Sequence, residues 1–365
     1  MPNKRRERIS DSNLLFLIAV CIFVFLYVLA ITVFGGGFRT FQQFFNLFND
    51  NASLIILACG LSIVMVAGGI DISVGGVVAL VTMACATFLN GANGSLPVSM
   101  LIAVGIGLAF GIGQGFLVAY LDIQPFIITL AGMFLAKGIA TVINVVPQRV
   151  VHAGFVSLAS AKLEIGFLGR YAPNGSIIPL SLGLVVAISL LVVVTVAVLL
   201  KWSKFGRNLY AVGGNKQSAL TLGINVRRTK FYSYVACGLL AGIAGFVHLM
   251  INGSGSAVSA TTFEMKAIAS SIIGGTMLTG GVGNIIGSPI GVMTLVTIDS
   301  IVVATGLTLK YPFLQTISTG AMLFLAILLQ SIVLALRSKG GVKLAFPPWL
   351  LRKEKEPDDT QQLKQ

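Results

Sequence analysis

Two polar side chains that could bind a ligand or control a passage lie inside an otherwise apolar stretch, residues 66–76. Asp71 and Ser73 stand there between two pairs of glycines. An unpaired carboxylate at the centre of a bilayer costs about 2.5–3.5 kcal/mol on insertion scales, and glycine weakens the helix that would carry it. The pattern therefore predicts a broken helix that lines a polar pathway or gate. The predicted pathway residues in this stretch are Gly68, Gly69, Asp71, Ser73 and Gly75.

A second stretch, residues 270–287, repeats the theme. It contains two Gly-Gly pairs together with the hydroxyls of Thr276 and Thr279. Interrupted hydrophobic segments in both halves of a chain are typical of a transport pathway, so Thr276 and Thr279 join the predicted pathway. Close helix packing through small residues is the alternative explanation for the glycines.

Two ionisable residues inside predicted helices are further candidates. Lys137 and Asp299 each lie 13 residues from the start of their helices on the same side of the membrane. At 1.5 Å per residue both are about 20 Å deep, which allows the hypothesis that they pair. Alternatively, Lys137 extends to the outer interface and Asp299 finds a water or a hydroxyl.

The composition is that of a polytopic membrane protein. Hydrophobic residues make up 56% of the 365 residues, charged residues make up 10%, and the mean hydropathy is +0.93. Eighteen of the 25 Lys and Arg residues fall in three segments, 4–8, 201–230 and 337–364, which the positive-inside rule places in the cytoplasm. The net charge of +13 lacks the soluble module and interleaved aromatics of a nucleic-acid surface, so nucleic acid is not an expected partner.

An even number of membrane spans is required to bring both ends of the chain to the cytoplasmic side. The first apolar run is 21 residues long, which exceeds a signal-peptide core and predicts a retained helix. The third and eighth spans are short for a full crossing. The ten predicted spans are 14–34, 52–70, 74–90, 98–120, 124–146, 177–200, 232–251, 264–276, 286–306 and 313–336. The predicted organisation is a basic cytoplasmic segment 1–13, a transmembrane domain 14–337 with a cytoplasmic loop 201–231, and a cytoplasmic tail 338–365.

The sequence offers little for catalysis or metal binding. The four cysteines lie in apolar segments and the two histidines are isolated, so neither a disulfide framework nor a metal site is expected. The chain lacks a G-x-x-x-x-G-K-[ST] phosphate loop and a G-x-S-x-G motif. A membrane enzyme that uses Asp71 and Asp299 as a carboxylate pair is the remaining catalytic alternative.

The central loop contains a short helix with its own start and stop signals. Asn215 can cap the helix and Gly223 can end it, which leaves about two turns. So short a helix needs a partner surface for stability, which suggests docking to a motor subunit. A plain connecting loop would explain the basic residues but not the capped helix. The predicted docking residues are Gly206, Arg207, Asn215, Ala219, Leu220 and Gly223.

Four motifs in order resemble the permease subunits of carbohydrate-uptake ATP-binding cassette transporters of the ribose and galactofuranose type. The motifs are GGIDISVG from Gly68, PFIITL from Pro125 followed by Lys137-Gly138, the loop from Gly206 to Ile224, and IGGT from Ile273 through Gly283. The resemblance covers roughly residues 50–335. It adds Thr129, in the second motif, to the predicted pathway. Lys137 stands where the family usually has Arg, and Asp299 where Asn is common.

The resemblance implies a ten-helix permease of the bacterial cytoplasmic membrane that works by alternating access. Its expected partners are membrane lipid, a second permease subunit, a cytoplasmic ATPase and an extracytoplasmic sugar-binding protein. The segment from Asn215 to Gly223 would be the coupling helix, and ATP would be bound by the partner, so no cofactor is expected here.

Other transport functions stay open at this point. An ion-driven secondary transporter could use Asp71, Lys137 and Asp299 as a relay. Within the cassette class that the chain resembles, permeases for nucleosides, branched-chain amino acids or a furanosyl signalling molecule are the near alternatives. The sequence does not identify the sugar.

Overall fold

The structure is a computed structural model that describes residues 11–92, 94–171, 177–311 and 313–337. It is predominantly helical. The helices are α1 (Asp11–Phe34), α2 (Phe41–Val66), α3 (Val74–Asn90), α4 (Leu96–Tyr120), α5 (Pro125–Ile143), α6 (Ala153–Ser160), α7 (Leu184–Trp202), α8 (Lys204–Gly214), α9 (Lys216–Thr221), α10 (Val226–Asn252), α11 (Phe263–Ile273), α12 (Gly287–Ala304), α13 (Leu307–Lys310) and α14 (Leu314–Arg337). A 3-10 turn covers Gly36–Arg39, and the strands are β1 (Gln148–Arg149), β2 (Lys162–Tyr171), β3 (Ile177–Gly183) and β4 (Ser254–Gly255).

Each of the ten predicted spans corresponds to a helix. Within the described residues, seven helices are long and apolar enough to cross a membrane, and α3 and α14 contain shorter apolar helical segments. The third predicted span is α3, with 17 residues, and the eighth is α11, with 11 residues. The prediction of a polytopic helical membrane protein is therefore confirmed, and the third and eighth predicted spans correspond to short helices.

The start of the sixth predicted span is wrong. Residues 177–183 form strand β3, which pairs antiparallel with β2 so that Lys162 faces Gly183 and Ile165 faces Leu180. A short apolar run does not distinguish strand from helix, and Pro179 disfavours a helix interior. Side chains of α2 then fix the strand, because Ser181 N donates to Gln42 Oε1 across 2.9 Å.

The core is centred on α2 and α10. Every residue of α2 from Ala52 to Val66 is buried, and α10 packs against α2, α3 and α4. Small residues allow the close approach of α4 and α10, since a Cβ at Gly111 would lie 2.7 Å from Tyr234 O.

One compact unit extends to Ala326, and the residues from Ile327 onward form a second unit. The described part of the second unit is helical as far as Arg337. Most of the predicted basic segment 1–13 and all of the predicted tail 338–365 lie outside the described residues.

Candidate translocation and coupling sites

The first helix break lies between α2 and α3. Its turn begins at Gly68, which has a φ of +77° that glycine adopts without strain. Asp71 follows and is only 2% exposed. Its Oδ1 accepts hydrogen bonds from Ser73 N across 2.9 Å and from Ser73 Oγ across 2.6 Å. The Asp71 carboxylate is therefore held in the protein interior by the residue that precedes α3.

Residues from two other helices complete this buried group. Ser73 Oγ also lies 3.0 Å from Gln114 Oε1 of α4, and Tyr234 Oη of α10 donates to Ile70 O across 3.1 Å. A Cβ at Gly69 would lie 2.7 Å from Tyr234 Oη, so the glycine makes this approach possible. Sequence reasoning missed Gln114 and Tyr234, because neither stands in a motif that signals contact with the break.

The second helix break lies between α11 and α12, and its buried hydroxyls face α2. Thr276 Oγ1 donates to Ser62 Oγ across 3.4 Å, and Ser62 Oγ lies 2.7 Å from Ser288 Oγ at the start of α12. Thr276 is buried, whereas Thr279 is exposed. The two predicted pathway threonines thus occupy different environments.

The two breaks meet each other and the end of α8. Gly281 N donates to Val66 O across 2.9 Å, and a Cβ at Gly280 would lie 2.8 Å from Gly68 Cα. A Cβ at Gly213 would overlap Val66 O and lie 2.5 Å from Gly281 N. We call the residues Gly68, Gly213, Gly280 and Gly281 the glycine junction. Backbone rests directly on backbone there, without room for a side chain at Gly213.

A tyrosine ties α8 to the second break beside this junction. Tyr210 Oη donates to Gly283 O across 3.0 Å. Burial raises the pKa of the Tyr210 hydroxyl, so it stays protonated and able to donate. The end of α8 is thus fixed by one side chain as well as by glycine contacts.

The short helix predicted after Asn215 is α9. Asn215 Oδ1 accepts from Ser218 N across 2.9 Å, and Gly223 adopts a φ of +75° after the helix ends. Ala219 is buried against Val212 and Val226, whereas Leu220 is 47% exposed and Leu222 is 76% exposed. One face of α9 therefore packs on the protein and an apolar edge is left uncovered in the single chain.

The two other predicted docking residues belong to α8. A Cβ at Gly206 would overlap Leu200 O, which explains why glycine suits the turn between α7 and α8. Arg207 Nη1 donates to Trp202 O across 3.3 Å and lies near the surface. These contacts fix the angle between the two helices.

A groove of about 580 Å³ runs beside α9. Lys216 Nζ lies 4.0 Å from Asp122 Oδ1 across it. The groove is lined by Ala119, Asp122, Lys216, Leu220, Gly223, Ile224, Asn225, Val226, Arg227 and Lys230. Its walls combine apolar side chains with three cationic residues and one carboxylate.

The hypothesis that Lys137 pairs with Asp299 is wrong. Asp299 Oδ2 accepts from Lys266 Nζ across 2.7 Å, and Asp299 Oδ1 accepts from Ser318 Oγ across 3.2 Å. Lys137 lies on α5, which packs on α3 and α4, whereas α12 packs on α1, α2 and α11. Equal depth did not bring the two residues together, because their helices have different neighbours.

Thr129, the pathway residue predicted from the second motif, is buried in α5, where its Oγ1 donates to Pro125 O across 2.8 Å.

Among the residues that the structure describes, groups of three His, Cys, Asp or Glu placed to hold a metal ion are absent.

The chain is similar to known membrane permeases over most of its length. The family described as "Branched-chain amino acid transport system / permease component" matches residues 43–332. The fructose import permease protein FruG of Bifidobacterium longum is 34% identical over 90% of this chain and 92% of its own length.

Two Escherichia coli proteins give similar matches. The inner membrane ABC transporter permease protein YjfF is 34% identical over 87% of this chain and 92% of its own length. The ribose import permease protein RbsC is 32% identical over 82% of this chain and 89% of its own length. No solved structure matches the chain at a significant level. The chain thus belongs to the family of ABC transporter permeases, and it is a transport component of a membrane rather than an enzyme.

Proposed function

We propose that this chain is the permease subunit of an ATP-driven importer that moves a monosaccharide across the bacterial cytoplasmic membrane by alternating access. The observation that carries the mechanism is the glycine junction, where the α8–α9 segment rests on both helix breaks. The sugar substrate is supported by the similarity to FruG and RbsC. The family assignment favours this function over an ion-driven carrier.

The glycine junction can transmit movement from α9 to the transmembrane helices. At Gly213 the backbone of α8 lies against Val66 O, and Gly281 N is hydrogen-bonded to the same carbonyl. Packed backbones do not deform gradually, so a shift of α8 must be accompanied by a shift of both breaks. A motor that moves α9 would then change the angle between α2 and α3.

The partner that moves α9 is a cytoplasmic ATPase in this proposal. Leu220 and Leu222 offer exposed apolar contacts, and the adjacent groove carries Lys216, Arg227 and Lys230. An ATPase surface with an apolar cleft and acidic neighbours would complement this edge. The basic residues of the loop also support its cytoplasmic location, together with both chain termini.

The proposed pathway residues divide into two groups. Thr279 is exposed and Lys137 is half-buried, so both can reach a cavity shared with a second permease subunit. Asp71, Ser73 and Thr276 are buried and act by holding the helix breaks. Neutral sugars are bound mainly by hydrogen-bonding groups, which fits hydroxyls and a few polar side chains better than a charged site.

A polar groove of about 510 Å³ lies on the face opposite α9, and we assign it to the sugar-binding protein. It contains Asp50 of α2, Arg149 of β1 and Lys162 of β2, with Asn46 and Asn252 beside them. Charged and amide groups of this kind suit a transient, polar interface. The β2–β3 hairpin forms one wall.

Uptake in cells tests the proposal. Cells with the chain deleted receive wild type, Leu220→Asp or the control Leu220→Met, which keeps an apolar side chain of similar volume. Labelled pentoses, hexoses and leucine are then offered. We expect the cells to lose uptake of one sugar on deletion and to regain it only with wild type or Leu220→Met. Unchanged uptake of all sugars, or full recovery with Leu220→Asp, would contradict the proposal.

A further inference from the structure

Glu264 is a buried carboxylate in the second half of the chain that the transport mechanism above does not use. It lies in the first turn of α11 and is 7% exposed. Its Oε2 has no hydrogen-bond partner among the residues that the structure describes. A Cβ at Gly75 would overlap Glu264 Oε2, so the carboxylate rests on the first turn of α3. A buried, unpaired carboxylate oxygen requires a physical explanation.

The positive ends of two helices supply part of that explanation. Gly75 is the second residue of α3 and Glu264 is the second residue of α11. The side chains at the two capping positions, Ser73 and Thr262, form no capping hydrogen bond in the described chain. A helix N-terminus carries about half a positive charge, which stabilises a nearby carboxylate. Glu264 therefore lies against one such terminus and within another.

The contact lies deep along α3. Gly75 is 15 residues from Asn90, about 22 Å along the helix axis. The segment before α11 descends beside α3, since Gly255 packs against Thr82 O and Ala86, whereas Ala260 O lies 3.3 Å from a Cβ placed at Gly75. Non-helical backbone at such depth must be held by protein contacts.

The descending segment also stores backbone strain. Ala260 has a φ of +56° and Thr262 a φ of +68°, in the left-handed region that residues with a Cβ rarely adopt. Such strain persists only when surrounding contacts hold the segment in place. The Glu264 contact is adjacent to both strained residues and is one such restraint.

Both ends of the α11 region are attached to the first helix break. At its start, Glu264 contacts α3, which begins directly after that break. Beyond its end, Gly281 N is bonded to Val66 O, the last residue of α2 directly before that break. The α11 region therefore bridges α2 and α3, and a change in the angle between them must shift α11 or release Glu264.

We propose that Glu264 is a positioning residue that acts as a charge-dependent latch between the starts of α11 and α3, and that its release accompanies the change between the two access states. The second clause rests on the proposed transport function. Neutralising the carboxylate removes the attraction to the helix termini but keeps the side-chain shape.

Hydrogen exchange of the full chain in lipid nanodiscs tests the latch without any transport assay. The relevant amides include Ser259 and Phe263, which are bonded to Ser256 O and Ala260 O. In Glu264→Gln we expect exchange over residues 254–263 to rise about tenfold, as loss of charge at two helix ends implies. The matched control is Glu164→Gln, the same change at an exposed position of β2.

Two further variants keep the test decisive if Glu264→Gln is poorly produced. Gly75→Ala inserts a methyl group where Oε2 lies and should raise exchange in the same segment, whereas Glu264→Asp keeps the charge and should give an intermediate rise. If Glu264→Gln and Gly75→Ala both exchange at the wild-type rate over residues 254–263, the proposal is overturned. An equal rise throughout α2 and α10 would also overturn it, because Glu264 would then support the core in general.

Transport measurements separate this latch from the proposed function. The assembled transporter, with partner ATPase and binding protein, is compared with and without the Glu264→Gln change. The variant transporter should hydrolyse ATP several-fold faster than the wild-type transporter in the absence of sugar, and it should import less sugar per assembled transporter. If Glu264→Gln lowers ATP hydrolysis and sugar import by the same proportion, a role of Glu264 in the access change is refuted. Absence of uptake by wild type would instead refute the proposed function, while the exchange result still decides the local contact.

Discussion

Gly281 N donates a hydrogen bond to Val66 O across 2.9 Å, which joins two helix breaks that lie far apart in the sequence. Gly213, at the end of α8, rests on the same carbonyl. This single oxygen of α2 therefore contacts backbone from two other segments: the second break and α8, the helix that precedes α9. The arrangement explains how a segment outside the transmembrane helices could control both breaks at once.

Adding one methyl group to the glycine junction should block transport. In Gly213→Ala the new Cβ would overlap Val66 O, and overpacking of this kind costs about 1–3 kcal/mol. We expect ATP-dependent uptake per assembled transporter to fall about tenfold or more. The neighbouring variant Gly214→Ala is the control, because a Cβ there meets open space. Equal activity of the two variants would contradict the account.

Removing the Ser73 hydroxyl should destabilise the first break. In Ser73→Ala, Asp71 Oδ1 loses the hydroxyl donor at 2.6 Å and keeps the backbone donor Ser73 N at 2.9 Å. Loss of a partner by a buried polar group costs about 1–3 kcal/mol, so the midpoint of thermal unfolding should fall by several degrees. Ser157→Ala, at an exposed position of α6, should leave the midpoint unchanged. An unchanged midpoint in Ser73→Ala would show that this hydrogen bond contributes little.

The ion pair between α11 and α12 should appear as energetic coupling. Lys266→Met and Asp299→Asn should each lower stability, because each leaves a largely buried charge unpaired. The double variant should lose less than the sum, with a coupling of about 0.5–3 kcal/mol in a double-mutant cycle. The same cycle with Lys137→Met in place of Lys266→Met should give no coupling energy with Asp299→Asn. Coupling of Asp299 to Lys137 instead would contradict the observed pairing.

The Tyr210 hydroxyl should stabilise the junction at all ordinary pH values. Tyr210→Phe removes the donor to Gly283 O and should cost about 1 kcal/mol. Since burial raises the Tyr210 pKa, this contribution is complete below the ordinary tyrosine pKa of about 10 and weakens only as the pH rises further. Unfolding measured at pH 6 and at pH 9 should give the same difference between variant and wild type. A difference that vanishes by pH 9 would mean that the hydroxyl already ionises there.

Sequence reasoning succeeded where the signal is local. Each of the ten predicted apolar spans coincides with a helix over most of its length, and the pair Asn215 and Gly223 marked the ends of α9 because capping chemistry depends on adjacent residues. The same reasoning failed for residue pairs. Depth alone could not show that Asp299 meets Lys266 rather than Lys137, since that depends on which helices are neighbours.

The glycine junction and Glu264 escaped prediction for a related reason. Gly213 stands in a basic loop and Gly281 in a distant break, and nothing in either segment indicates that they touch. Glu264 opens a helix, where an acidic residue is ordinary, so its burial against Gly75 depends on the path of the descending segment. Contacts between segments that are distant in the sequence can be identified only once the fold is known.

Reconstituted transport tests the central claim most directly. Proteoliposomes contain this chain, its partner permease and the ATPase. Labelled sugar is added together with the sugar-binding protein on one side of the membrane, and ATP is supplied on the opposite side, where the ATPase is bound. We predict uptake that requires ATP hydrolysis, persists in Leu220→Met and is lost in Leu220→Asp although the subunits still assemble. Uptake driven by a proton gradient without ATP, or full activity of Leu220→Asp, would contradict the account.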